Sequence, residues 1–261
     1  MAGRILKPLS FAGLLDEMFD VYKGNVLLFM GIAALIHLPF NLAAYAFGGE
    51  FVFYVLMFLS FPITFITLAA STSAVSQIYL GSKVTILGAY KSVIRRAWPF
   101  IGTMLVTSMI IGCGFMLLII PGIYLAVWYA FVSVVFIIEG LAWGNARKRS
   151  KELAAGEYNR IIILAILAWI LSLIVTSGLT SLVGILAGGN EGAISGGLGG
   201  ALYGLASGLA EVLTQPFMVI AFVLLYYDIR VRKEGFDIQM LGKNLADSLN
   251  PAAVVEEAAA E

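Results

Sequence analysis

Two ionisable side chains, His37 and Glu211, fall inside long stretches that are otherwise apolar or small. Each is followed four residues later by a carboxamide, Asn41 and Gln215, and residues four apart share a helical face. An imidazole, a carboxylate and two amides can donate and accept hydrogen bonds, so the set could take up a proton or hold a small polar solute. At membrane depth such groups are rare and costly, and an ionisable residue there is read first as functional. The competing reading is structural: a buried hydrogen-bonded network around a protonated Glu211.

Other chemistry is scarce. One histidine and one cysteine, Cys113, cannot make a Cys/His metal cluster, and a lone cysteine closes no intrachain disulfide. No Ser-His-Asp set can be built around His37, which Leu38 and Pro39 follow in an apolar run. The glycines near 196–200 open no strand–turn–helix unit, which excludes a phosphate-binding loop. The expectation is a protein without catalytic residues, metal or cofactor.

Glycine recurs every fourth residue at 192, 196, 200, 204 and 208, just before Glu211. At about 100° per residue, Gly204 lies near −40° from Gly208, Glu211 near −60° and Gln215 near −20°. Such a face is a groove that lets another backbone come close. Gly200, Gly204 and Gly208 are therefore expected to contact another helix, with Glu211 facing the bundle interior.

The elements that must hold these residues follow from composition. Hydrophobic residues make up 61% and charged residues 12% of the 261, against roughly 25% charged in soluble domains. Runs of about 20 apolar residues can cross a bilayer. Six are expected, at residues 26–47, 51–79, 100–120, 122–138, 161–187 and 201–227, with the long central run cut at Pro121-Gly122. The fold class is all-α, an integral membrane bundle of six transmembrane helices, and the membrane domain covers residues 1–242. Residues 243–261 read as a mobile tail. The first residues lack a short apolar core with a cleavage site, and no removed signal peptide is expected.

With six spans, all 16 Lys and Arg fall on the side of the N-terminus, and the opposite loops carry only Glu50 and Glu191. Lys and Arg collect in cytoplasmic loops, so both termini are expected in the cytoplasm. Counted from Val26 and Tyr227, Asn41 and Glu211 each lie about 23 Å deep, and His37 and Gln215 about 17 Å. If the first and sixth spans are neighbours, Glu211 meets Asn41 and Gln215 meets His37. Each helical hairpin follows an amphipathic segment, clearest in "SFAGLLDEMFDVYKGN" and "TILGAYKSVIRRAW", weaker in "WGNARKRSKELAAGEYNR". These segments are expected in the headgroup layer or against the cytoplasmic end of the bundle. The unit of one such helix and two spans, three times over, reads as a parallel repeat.

Three stretches together carry a family resemblance: "KPLSFAGLLDEMFDVYKGN", "LLIIPGIYLAVWYAFVSVVFIIEG" leading into "ARKRSKELAAGEYNR", and "LLYYDIRVRKEGFD". Over roughly residues 7–240 the chain resembles the glycerophosphoryl diester phosphodiesterase membrane-domain family. The resemblance implies a six-helix membrane domain. It implies no enzyme, because the His-Arg-Gly start and the metal-binding carboxylates of the soluble catalytic domain are missing here.

The expected function is that of a non-enzymatic scaffold, accessory or lipid-interacting protein of a bacterial or archaeal cell membrane. The alternative is a small transporter or channel using Glu211, Gln215, His37 and Asn41. Expected partners are membrane lipids and a protein partner or a second copy. Nucleic acid is not expected, because the basic residues are interleaved with acids.

The charge asymmetry generates a first test. In a Cys113→Ser background, a membrane-impermeant thiol reagent applied to intact cells should label Asn190→Cys and leave Lys148→Cys unlabelled. The reverse pattern would invert the topology.

Overall fold

The computed structural model describes residues 8–46, 50–186, 197–236 and 238–239. The expected tail 243–261, Gly192 and Gly196, Glu191 and most of the two loops expected opposite the termini lie outside these residues. Ten helices follow one another, with no strand among the described residues: α1 (Phe11–Gly24), α2 (Val26–Ala46), α3 (Glu50–Tyr79), α4 (Ile86–Ile94), α5 (Ala97–Leu117), α6 (Ile119–Trp128), α7 (Val132–Ile138), α8 (Trp143–Ala154), α9 (Tyr158–Leu186) and α10 (Gly197–Glu234). Six crossings are long and apolar enough to span a membrane: α2, α3, α5, α6 with α7, α9 and α10. Leucine, isoleucine and phenylalanine side chains stay exposed along α3, α5, α6 and α9, as lipid-facing surfaces do.

The turn between the third and fourth crossings is one place where the sequence expectation needs correction. The chain reverses at Leu118, whose backbone is extended (φ −160°, ψ 151°), and Pro121-Gly122 lies inside the first turn of α6. Proline is tolerated there because the first N–H groups of a helix have no intrahelical acceptor. Gly122 serves the packing of the hairpin: a Cβ at this position would strike the Phe115 ring, and one at Gly114 would stand 2.6 Å from Leu125.

The fourth crossing is itself broken between Trp128 and Val132. Ser150 of α8, fully buried, bridges the break. Its hydroxyl donates to the Trp128 carbonyl (2.8 Å) and accepts from the Phe131 N–H (3.1 Å). Helix α8 is placed for this by a locked turn. Trp143 has φ +52°, unusual for a bulky residue, and its N–H donates to Thr103 (3.0 Å).

Helices α1, α4, α8 and the last turns of α10 gather at one end, here called the basic end. Ser10 and Thr85 cap α1 and α4, accepting from the N–H groups of Gly13 and Gly88. The buried stripe of α1 is Leu14, Met18, Val21 and Tyr22, with Phe19 left exposed. Tyr22 stacks on Phe217 of α10 (4.0 Å between centroids).

Two ion networks close this end. The Asp228 carboxylate, fully buried, meets Arg160 (2.7 Å), Arg232 (2.9 Å) and the Leu9 N–H (2.6 Å). Arg149 bridges Glu139 (2.8 Å) and Glu234 (2.5 Å), and Tyr226 donates to Glu139 (2.8 Å). Burial works against the Arg149 charge, but the hydrogen bonds and attraction of Glu139 and Glu234 hold its pKa above the ordinary arginine value.

Asp228 thus ties α9, α10 and the segment before α1 together. Asp228→Asn keeps the shape and removes the charge that Arg160 and Arg232 share, leaving Arg160 with Glu157 alone, at 3.4 Å. It should cost about 3 kcal/mol, the low end for a broken buried pair because both arginines keep contact with water. Thermal unfolding in detergent measures this.

Candidate functional site

Helix α10 is the core of the bundle, buried along most of its length from Gly200 to Val231. Its most extensive neighbour is α2. The reason is local: a Cβ at position 204 would stand 2.6 Å from the Asn41 carbonyl oxygen, and one at position 208 would stand 3.1 Å from Leu38. Gly200 is buried on the same helix. No larger residue at 204 could let the α2 backbone come this close.

That approach delivers three polar side chains to one place. His37 Nδ1 lies 2.7 Å from Glu211 Oε2, and Asn41 Nδ2 donates to the same oxygen at 3.0 Å. Asn41 Nδ2 also donates to the His37 carbonyl (3.0 Å), which ties the amide to its own helix. At 2.7 Å a proton must sit between imidazole and carboxylate. The far ring nitrogen, His37 Nε2, is buried and has no hydrogen-bond partner. One turn beyond Asn41, the Tyr45 ring meets Tyr203 (5.0 Å) and Phe53 (5.3 Å).

Two expectations are corrected here. Gln215 does not meet His37; it lies 3.5 Å from Ser71 of α3. One turn along α10 has carried it past α2 and onto the next helix. Nor is Glu211 inside the bundle: its side chain is 48% exposed, while that of His37 is 8% exposed. The glycine crossing leaves no room beneath α2 for a side chain of this length. The carboxylate therefore leaves along the edge of the crossing and reaches His37 from outside.

A separate cleft of about 200 Å³ lies two turns nearer the basic end, between α3, α5, α7 and α10. Its lining is mainly apolar, including Leu68, Met104 and Phe222, and it holds none of the four expected site residues. Among the described residues no group of His, Cys, Asp and Glu could hold a metal ion.

Sequence reading missed the roles of Asp228 and Ser150. For Asp228 a signal was present, since Asp228 and Arg232 stand four apart at the end of an apolar run. For Ser150 there was none, because the break it bridges leaves no mark in the apolar stretch around Trp128.

The crossing predicts a contrast between two glycines. Gly204→Ala should destabilise by about 1–3 kcal/mol through overpacking. Gly178→Ala on α9, where a Cβ would meet open space, should be neutral or stabilising by up to about 1 kcal/mol through helix propensity. Equal effects on thermal unfolding would contradict the close approach of α2 to α10.

Comparison with protein-family models, with curated proteins and with solved structures gave no match, so the functional reading rests on this geometry.

Proposed function

We propose that this chain is a multi-pass cell-membrane protein, with both termini cytoplasmic, that takes up and releases a proton at the His37–Glu211 pair as part of small-solute transport or gating. One observation carries the reading. The pair joins a half-exposed carboxylate to a buried imidazole whose far nitrogen has no partner. A network serving packing alone would be buried and satisfied throughout. Here the carboxylate is exposed at the surface of the bundle and the imidazole nitrogen behind it lacks a partner, an arrangement that packing alone does not call for.

The topology in this proposal rests on the Lys and Arg distribution. The resemblance to the glycerophosphoryl diester phosphodiesterase membrane-domain family enters for architecture alone. Of the stretches that carry it, "PGIYLA" forms the start of α6 and "YYDIRVRKE" the charged end of α10. No catalytic role is assigned to any residue.

A second reading, a non-enzymatic accessory or lipid-interacting protein, draws on Lys151 of α8, which lies over the Trp128 ring of α6. It needs no proton chemistry and is tested separately.

The proton reading is checked in proteoliposomes carrying an entrapped pH dye. Wild-type protein should collapse an imposed pH gradient faster than empty liposomes. Glu211→Gln, which keeps size and hydrogen bonding, should fold and fall to the rate of empty liposomes, and His37→Gln should do the same. Equal rates for wild type and Glu211→Gln would remove the proton reading and leave the accessory one.

A further inference from the structure

The groove between α6 and α8 holds donors that nothing in the fold uses. Arg147, Ser150 and Lys151 stand at i, i+3 and i+4 on α8, hence on one face. Ser150 on this face bonds the Trp128 carbonyl of α6, and the Lys151 ammonium lies 4.0 Å from the centre of the Trp128 ring. The Trp128 indole N–H and one Arg147 terminal nitrogen are both buried, and neither has a hydrogen-bond partner. Among the described residues no carboxylate pairs with Arg147, Lys148 or Lys151: Glu152 on α8 itself forms no ion pair with them, and Glu139 and Glu234, which α8 does meet, are held by Arg149. A buried guanidinium nitrogen and a buried indole N–H without acceptors each cost free energy, and an acceptor-rich anion removes that cost.

We propose that this groove binds the phosphate headgroup of an anionic phospholipid from the leaflet at the basic end. Arg147 and the Trp128 indole donate to the phosphate oxygens, and Lys151 adds charge from above the ring. A phosphate ester has the right chemistry because it offers several acceptors and a negative charge in one compact group. The lipid source is favoured by the surroundings. Helix α6 carries an exposed apolar surface toward the far end of the crossing, with Ile119, Ile120 and Ile123 exposed. An acyl chain can lie along this surface while its headgroup stays level with α8. The site stands on α6 and α8, away from the α2–α10 crossing, and does not depend on the proton reading.

The test uses the purified full chain in detergent, titrated with dioleoylphosphatidylglycerol or dioleoylphosphatidylcholine, with retained lipid read by native mass spectrometry. Wild type should retain the anionic lipid in preference to the zwitterionic one. Arg147→Gln and Lys151→Gln should each lower that preference about fivefold, the effect of one cation near a charged headgroup. Trp128→Phe keeps an aromatic ring beneath Lys151 and loses the N–H together with the rest of the five-membered ring. It should also lower the preference, and it serves if Arg147→Gln does not fold. The same changes at Lys23 and Lys91, on α1 and α4, should have no effect. Equal retention of the two lipids would overturn the proposal, as would unchanged preference in both Trp128→Phe and Lys151→Gln. Inorganic phosphate at equal concentration should not displace the lipid; full displacement would assign the groove to a soluble phosphate and overturn the lipid source.

Discussion

The approach of α2 to α10 at Gly204 is the constraint on which the candidate site depends. With an added Cβ at 204 only 2.6 Å from the Asn41 carbonyl, the two backbones can cross there only because the residue has no side chain. Everything polar at this depth follows from that crossing. Asn41 reaches Glu211 because its own backbone is held against α10, and His37, one turn back on α2, reaches the same oxygen. The cost of placing a carboxylate there is met by two donors on the facing helix, and the glycines set the distance at which those donors can act.

The opposite end of α10 works by a different principle. There the helix is held by charge: Asp228 and Glu234 face arginines from α8, α9 and α10 itself. Small residues allow close packing at one end, and ion networks at the other tie down the short helices that frame the bundle. Ser150 belongs to the same pattern, because a hydroxyl from α8 supplies partners to the Trp128 carbonyl and the Phe131 N–H at the break in the fourth crossing. This division explains how α8 can carry several cations and still pack: Arg149 is neutralised by Glu139 and Glu234, while Lys151 lies over the Trp128 ring of α6.

Much of this was legible in the sequence, for physical reasons. Six apolar runs and a one-sided charge distribution are period-independent signals, and six crossings long and apolar enough to span a membrane are present. The four-residue spacings of His37 with Asn41 and of Glu211 with Gln215 put each pair on one helical face. Depth counting then brought the α2 and α10 residues to similar levels, and Asn41 does meet Glu211. It failed for Gln215, because depth says nothing about which neighbour a helix face meets, and α10 turns from α2 to α3 within one turn. It also failed for the burial of Glu211. An angle of about 60° from the glycine line lies at the edge of a contact, and only the width of α2 decides which side of the edge the carboxylate takes. The Pro121-Gly122 turn was misplaced by three residues because proline serves equally well in a turn and in the first turn of a helix.

His37 is the only histidine in the chain, so histidine labelled with ¹⁵N gives a single imidazole to observe in lipid bilayers. Solid-state NMR of that ring tests the central claim most directly. The account predicts a proton on Nδ1 in a strong hydrogen bond, a distinct Nε2 without a protein partner, and a large change in the Nδ1 signal when Glu211→Ala removes the carboxylate. An imidazole spectrum that is the same in wild type and Glu211→Ala would mean that α2 and α10 do not share a proton across their crossing, and the account would fall.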